Sequence, residues 1–122
     1  MNELRQYVLE KCACAGTNLP RLVQPALLYL LSRESLHGYA IMQKLAESGV
    51  FQDVPPDAAG VYRLLNVMES DGSLESGWDT SESGPARKRY KITARGLSCL
   101  DRWRKTLREH RDFIDRLIVF CQ

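Results

Sequence analysis

Apolar residues recur three and four positions apart in four stretches of the first 72 residues. This period is typical of a helix that buries one face. Gly49 and Gly72 follow two of the stretches in the position where glycine often ends a helix, and Asp57 precedes another as a candidate N-cap. The pattern predicts helices over residues 3–15, 20–33, 37–48 and 58–71.

The period changes to two after residue 73. Leu74, Ser76 and Trp78 alternate with Glu75, Gly77 and Asp79, and Lys88, Tyr90 and Ile92 alternate with arginines and a lysine. A polar turn with a Gly-Pro pair separates the two runs, so the pattern predicts a β hairpin over residues 74–92. Two strands alone are marginally stable, and we expect this hairpin to pack on the helices.

A final helix is predicted over residues 94–120, capped by Thr93 and about 40 Å long at 1.5 Å per residue. Its apolar side chains alternate at intervals of three and four, as in a coiled-coil seam. The seam consists of Leu100, Trp103, Leu107, His110, Ile114, Leu117 and Cys121. So long a helix cannot bury this seam against so small a body, and we predict that it pairs with a second copy. Folding back on its own domain is the alternative.

The composition indicates one folded domain. The chain has 122 residues, of which 44% are hydrophobic and 26% charged. The longest apolar run covers residues 26–31, far short of the ~20 residues of a membrane helix, and the N-terminus has no apolar signal segment. We therefore expect a cytoplasmic protein without a membrane partner.

The charge is unevenly distributed. Residues 87–116 hold 11 of the 17 Lys and Arg residues but 4 of the 15 Asp and Glu residues, a local net charge of +7 in a chain of net charge +2. Such a distribution indicates a basic face that meets a polyanion. A solvated charged helix is the alternative explanation.

The residues that catalysis would need do not converge. His37 and His110 are the only histidines and lie on different predicted helices, and the chain has neither a phosphate-binding glycine loop nor a zinc-ligand spacing. We expect a protein that is not an enzyme and that has no cofactor or bound metal. The weak Cys12-x-Cys14 pattern, together with Cys121, leaves a metal- or redox-sensing regulator as an alternative.

The order of elements predicts a mainly α fold with a small β hairpin, which is a winged helix-turn-helix. The predicted parts are an N-terminal helix and linker over 1–19, a winged-helix DNA-binding domain over 20–93 and a C-terminal dimerisation helix over 94–122. In this geometry the helix over 58–71 enters the major groove of DNA, and the hairpin forms the wing.

Five short motifs follow one another in order between about residues 25 and 100. They are Leu36-His37-Gly38-Tyr39-Ala40-Ile41, Gly60-Val61-Tyr62-Arg63-Leu64-Leu65, Asp71-Gly72-Ser73-Leu74, the run from Gly84 to Thr93, and Gly96. Together they resemble the PadR family of transcriptional regulators, and the single helix after the wing resembles its short-tailed members. Gly60 stands where the family usually has Thr. The resemblance implies a homodimeric, ligand-responsive repressor whose last helix forms the dimer.

The candidate DNA contacts follow from this arrangement. Arg63 can pair with guanine and Asn66 with adenine, while basic wing residues bind phosphate without reading sequence. The predicted DNA-binding residues are Tyr39, Lys44, Tyr62, Arg63, Asn66, Arg87, Lys88, Arg89 and Lys91. A dimer of such units would bind a near-palindromic operator in double-stranded DNA. A dimeric protein-interaction module that has lost DNA binding is the alternative.

The predicted seam contains a candidate effector site. Trp103, Leu107 and Tyr7 could line a pocket for a small planar apolar molecule, because such ligands stack on aromatic side chains. Ordinary packing in the dimer is the alternative role for Trp103 and for His110.

Overall fold

The computed structural model describes residues 22–52, 55–80 and 84–122. Its elements are α1 (Val23–Arg33), β1 (Leu36–His37), α2 (Gly38–Glu47), α3 (Ala58–Ser70), β2 (Leu74–Asp79), β3 (Arg87–Ile92) and α4 (Ala94–Cys121). The predicted fold class, mainly α with a small β hairpin, is confirmed. The helix predicted over 3–15, with Tyr7, Cys12 and Cys14, lies outside the described residues.

The sheet has one strand more than the sequence predicts. Its three antiparallel strands follow the order β1-β3-β2, and β1 adds the pairs Leu36↔Tyr90 and His37↔Arg89. A strand of two residues is too short to show a period, so pattern analysis could not find it. Through β1 the central strand of the wing is joined to the start of α2.

The core is formed by α1 and by the apolar faces of α2, α3 and the sheet, which pack around it. Leu27 and Leu28 of α1 are fully buried, and so are the inward residues of α2 and α3, as the helical period predicts. The sheet closes this core with Leu36, Leu74 and Tyr90. The core residues on α2 and α3 are Ile41, Leu45, Val61, Leu65 and Met68.

The predicted caps are present at two helix starts. The Asp57 side chain accepts a hydrogen bond from the backbone N–H of Gly60, and the Thr93 hydroxyl accepts one from Gly96 at 3.1 Å. A Cβ at Gly96 would collide with the backbone carbonyl of Ser73. The start of α4 can therefore lie directly against the turn between α3 and β2.

The predicted seam on α4 is divided in two, and its first residues require a correction. Leu100 is 5% exposed and packs in the core of its own chain, so it is not available to a partner. Trp103 is half-buried, and its Nε1 donates to Gln24 Oε1 on α1 at 3.2 Å. Helix α4 packs against α1 near Leu100 and Trp103, and the rest of the domain therefore covers these two positions. From Leu107 to the end, no residue of α4 is buried within the described chain.

No helix in the described ranges is both long and apolar enough to cross a lipid bilayer.

Candidate nucleic-acid interface

Helix α3 presents one face to solvent while its apolar face is held in the core. Val61, Leu65 and Met68 point inward, which leaves Arg63 and Asn66 exposed on the opposite face. The helix begins at Ala58 with the Asp57 cap and without an acidic residue in its first turn. Its exposed face therefore offers a guanidinium and an amide, the two groups that pair best with purine edges.

Tyr62 joins α3 to the start of α2. Its ring lies where a Cβ of Gly38 would stand, so the two helices approach closely only because position 38 is glycine. The ring remains 41% exposed, and Tyr39, the next residue on α2, is 71% exposed. Two tyrosine side chains from different helices therefore stand at one surface.

These tyrosines border a cleft between the helices and the wing. The cleft has a volume of about 580 Å³ and is lined by His37, Gly38, Tyr39, Tyr62, Arg87, Lys88 and Tyr90. Four of the predicted DNA-binding residues, Tyr39, Tyr62, Arg87 and Lys88, thus come together from three elements. Hydroxyl, ammonium and guanidinium groups are the donors that bind phosphate in protein–DNA complexes.

Tyr90 forms the floor of the cleft. Burial raises the pKa of its phenol, and the ammonium of Lys88, 5.4 Å from the ring centroid, partly offsets this rise. The hydroxyl therefore stays protonated at neutral pH.

The four cations of β3 do not have the same surroundings. Lys88 Nζ lies 3.3 Å from Glu69 Oε2, and Arg89 contacts Asp79 Oδ2 at 3.2 Å and donates to the carbonyl of Ser35 at 3.0 Å. In the part of the chain that the structure describes, no ion pair is recorded for the other two, Arg87 and Lys91. Lys88 and Arg89 connect the wing to α3 and to the segment before β1, whereas Arg87 and Lys91 have Asp79 and Glu75 of β2 as cross-strand neighbours.

The alternation of β3 divides these cations between the faces of the sheet. Arg87, Arg89 and Lys91 pair with Asp79, Gly77 and Glu75 of β2, and Lys88 pairs with Trp78. Arg89 and Lys91 border a separate cleft of about 460 Å³. Lys44 lies apart from both clefts, and its Nζ is 3.5 Å from Glu34 Oε1.

A polar cluster on the three-stranded sheet was not found by sequence analysis. His37 Nε2 lies 3.5 Å from Asp79 Oδ2, and the same carboxylate oxygen contacts Arg89. The three residues belong to β1, β2 and β3, so the cluster joins all three strands at one point. No sequence signal could reveal it, because β1 brings distant residues together.

The candidate effector site is partly assembled. Trp103 and Leu107 line an apolar cleft of about 500 Å³ between α1, α4 and the segment after α2. Its other lining residues are Leu22, Pro25, Ala26, Tyr29, Val50, Phe51, Leu100 and Arg104. Tyr7 lies outside the described residues.

The remaining seam residues are open to solvent. Leu107, Ile114 and Leu117 are between one third and one half exposed, and His110 and Cys121 are exposed as well. The imidazole Nδ1 of His110 lies 2.9 Å from the carbonyl of Thr106 in its own helix. Among the described residues, no group of three or more His, Cys, Asp or Glu side chains could hold a metal ion.

Comparison with known proteins agrees with this geometry. The model of the transcriptional regulator PadR-like family matches residues 27–102. No curated protein matches the chain.

Three solved structures illustrate the similarity. A PadR-like transcriptional regulator from Bacillus cereus is 29% identical, with a TM-score of 0.68 over 83% of this chain and 95% of that one. A putative transcriptional regulator from Thermoplasma acidophilum is 28% identical, with a TM-score of 0.69 over 82% and 93%. A PadR family transcriptional regulator from Eggerthella lenta is 28% identical, with a TM-score of 0.67 over 96% and 93%.

The helices, the wing and the cleft between them define a winged-helix protein of the DNA-binding class. More particularly, the chain belongs to the PadR-like family of transcriptional regulators. Members of this family are regulators and not enzymes, as the sequence predicts.

Proposed function

We propose that this protein is a sequence-specific DNA-binding repressor that acts as a homodimer and responds to a small ligand. The observation that carries the proposal is the cleft lined by Tyr39, Tyr62, Arg87 and Lys88, because it joins donors from α2, α3 and β3 beside the exposed face of α3. These groups can hold one stretch of DNA backbone while α3 lies in the major groove.

Base recognition is assigned to Arg63 and Asn66. Both are exposed on α3, and a guanidinium pairs bidentately with guanine as an amide does with adenine. A Cβ at Gly60 would approach the Asp57 carboxylate at 2.7 Å, so glycine at this position avoids crowding the cap of the same helix. Two copies of α3 in one dimer would enter successive major grooves about 34 Å apart, and the operator would be a near-palindrome.

Phosphate binding is assigned to the wing, with a ranking among its cations. Arg87 and Lys91 form no ion pair within 4.0 Å among the described residues, although Asp79 and Glu75 lie across the strands from them, so either can turn to phosphate without breaking such a contact. Lys88 and Arg89 would have to share or leave Glu69 and Asp79. We therefore expect Arg87 to contribute more than Lys88 to affinity for any sequence. Lys44, which lies beside Glu34, would make a weaker contact with the flanking backbone.

The proposed dimer rests on the exposed part of α4. Leu107, Ile114, Leu117 and Cys121 form one stripe that the described chain leaves open, and Phe120 is 85% exposed. A contiguous apolar surface of this kind is rarely left in water. A second copy of α4 would bury this stripe by the packing of a coiled coil.

The proposed ligand response rests on the cleft beside Trp103. Its walls are almost wholly apolar and include the aromatic residues Tyr29, Phe51 and Trp103, which suit a planar apolar molecule. The cleft adjoins the exposed stripe of α4. A ligand there could change the angle between the two α4 helices and so the separation of the two α3 helices of the dimer.

The test begins with selection of binding duplexes from a random 30-base-pair pool, followed by affinity measurements from about 50 to 200 mM salt. With several phosphate contacts, affinity should fall about a thousandfold or more over this range.

Arg63→Ala should weaken binding to the selected duplex by about 1–3 kcal/mol and relax its sequence preference. Arg87→Ala should weaken all sequences alike and reduce the salt slope by about 1.

Lys105→Ala is the matched control, because this lysine is 80% exposed on α4 and pairs with Glu109. It should change neither the affinity nor the salt slope. If no duplex binds at low salt, the protein is an interaction module and the proposal is wrong. If Arg63→Ala binds the selected duplex as tightly as the parent protein, the assignment of α3 as the reading helix is wrong.

A further inference from the structure

The imidazole of His37 has one nitrogen that the fold buries without a hydrogen bond. His37 is the second residue of β1, and its side chain is 17% exposed. Its Nε2 is screened from solvent, and no atom in the described ranges forms a hydrogen bond with it. Buried polar groups of folded proteins nearly always have a partner, so this unpaired nitrogen needs an explanation. The DNA-binding assignment above does not use it.

Two charges of opposite sign lie next to this nitrogen. Asp79 Oδ2 is 3.5 Å from Nε2, and Arg89 Nη2 is 3.2 Å from the same oxygen. Arg89 Nη1 donates to the carbonyl of Ser35 at 3.0 Å, which keeps the guanidinium in place. A carboxylate at this distance favours a charged imidazolium, whereas a neighbouring guanidinium opposes it. A further charge that arrives nearby can therefore decide whether the ring carries a second proton.

The remaining charges around His37 belong to the cleft that we assign to the DNA backbone. His37 itself lines this cleft. The other titratable groups that line it are the phenols of Tyr39 on α2, Tyr62 on α3 and Tyr90 on β3, and the cations Arg87 and Lys88 of β3. Glu69 is paired with Lys88, and no ion pair within 4.0 Å is formed by Arg87 among the described residues. The cations repel another positive charge in the free protein, and a bound phosphate that neutralises them removes this repulsion.

We propose that His37 couples DNA binding to pH: when a phosphate occupies the cleft, His37 takes up a proton from the buffer and the imidazolium pairs with Asp79. Histidine is the side chain whose charge ordinarily changes between pH 5 and 8. Because Nε2 is buried, it acts on the phosphate through its charge and not by direct contact. The inference rests on the proposed DNA-binding function. Since the bound state then holds more protons than the free state, the affinity for DNA should rise as the pH falls.

The first test measures the affinity for a duplex selected as above at about pH 8 and about pH 6, at one salt concentration, by anisotropy of labelled DNA. The affinity of the parent protein should rise about five- to a hundredfold, the range of coupling between two sites. His37→Gln keeps a polar side chain that cannot take up a proton, and its affinity should not change between the two pH values. His110→Gln removes the only other histidine of the chain and should keep the pH dependence of the parent.

Calorimetry supplies a readout that a purely structural role of His37 would not change. The heat of DNA binding, measured at about pH 7 in buffers of different ionisation enthalpy, gives the number of protons taken up. The parent should take up a measurable fraction of one proton per subunit, and His37→Gln should take up none. If His37→Gln does not fold, the parent alone still decides: binding without proton uptake would show that the inference is wrong.

The outcomes separate this inference from the proposed function. Affinity that does not depend on pH, or a dependence that persists in His37→Gln, would overturn the inference and leave the proposed function standing. Loss of the dependence in His110→Gln would assign it to α4 and would overturn the inference as well. If no duplex binds at either pH and low salt, the inference and the proposed function both fail.

Discussion

The two halves of α4 have the same apolar spacing but different surroundings. Leu100, near the start, is 5% exposed because it packs against α1, whereas Leu117, near the end, is 45% exposed. Both positions belong to one predicted seam. The comparison shows that a helical period reveals that a face will be buried but does not reveal by what.

The difference extends to the width of the apolar surface. The first half of α4 buries a narrow face, with Gly96 close to the Ser73 carbonyl. The last turn, residues 117–121, is apolar at every position. A helix that is hydrophobic all round is normally buried. We therefore expect substitutions in the first half to act on folding, and substitutions in the second half to act on association.

The largest effect is expected from a charge on the exposed stripe. Leu117→Asp would place a carboxylate in the proposed dimer interface, and we expect the dimer dissociation constant to rise about a thousandfold or more, as at a central interface residue. Sedimentation at micromolar concentration measures this change. Asp112→Ala, off the stripe, is the control. If the parent protein sediments as a monomer, the second half of α4 does not drive association, and the proposed difference between the two halves is wrong.

A large but different effect is expected at Leu100. Leu100→Ala should lower the free energy of unfolding by about 2–5 kcal/mol, because it removes a buried side chain and leaves a cavity. Chemical denaturation measures this loss. The difference in unfolding free energy between parent and variant should not change with protein concentration. Leu107→Ala is the matched variant on the open half. Equal losses at both positions at low concentration would contradict the docking of the first half of α4 on α1.

A smaller effect on the body is expected from the α3 cap. Asp57→Ala removes the acceptor for the Gly60 N–H and should cost about 1 kcal/mol of unfolding free energy. Asp57→Asn keeps an acceptor and should recover most of this loss. Because the cap and the stripe belong to different helices, the oligomeric state should be unchanged in both variants. A change in association without a change in unfolding would contradict the separation of the two regions.

The smallest effect concerns the pH dependence of the body. Burial raises the pKa of Tyr90 in the folded state above the ordinary value of 10.0, so the folded state favours the neutral phenol. The resulting stability is present below pH 10 and is lost as the pH rises through the raised pKa. Tyr90→Phe should flatten the dependence of unfolding free energy on pH in this range. An identical profile in parent and variant would show that another group is responsible.

Residues that act through their own helix or strand could be predicted from the sequence. Asp57 and Thr93 cap the helices that follow them, and Arg63 faces outward because Val61 and Leu65 face inward. Each of these relations spans at most four residues. The helical period and the preferences of cap residues therefore suffice to predict them.

Residues that act through distant neighbours could not be predicted in this way. Arg87 and Lys88 look equivalent in the sequence, yet Lys88 pairs with Glu69 and Arg87 has no recorded ion pair in the described residues. His37 meets Asp79 only because the two-residue strand β1 joins the sheet. The exposure of Trp78 depends in the same way on where α3 ceases to cover β2.

The sequence by itself determined the helices from α1 to α4, the hairpin, their inward faces and the winged-helix order, since these depend on backbone preferences and on the periodic burial of apolar side chains. The tertiary structure alone decided which cations of β3 are already paired, which half of α4 the body covers, and how two tyrosines and two cations form one cleft. These properties depend on distances between residues far apart in the chain, which are set only when the helices pack around α1 and bring the strands together.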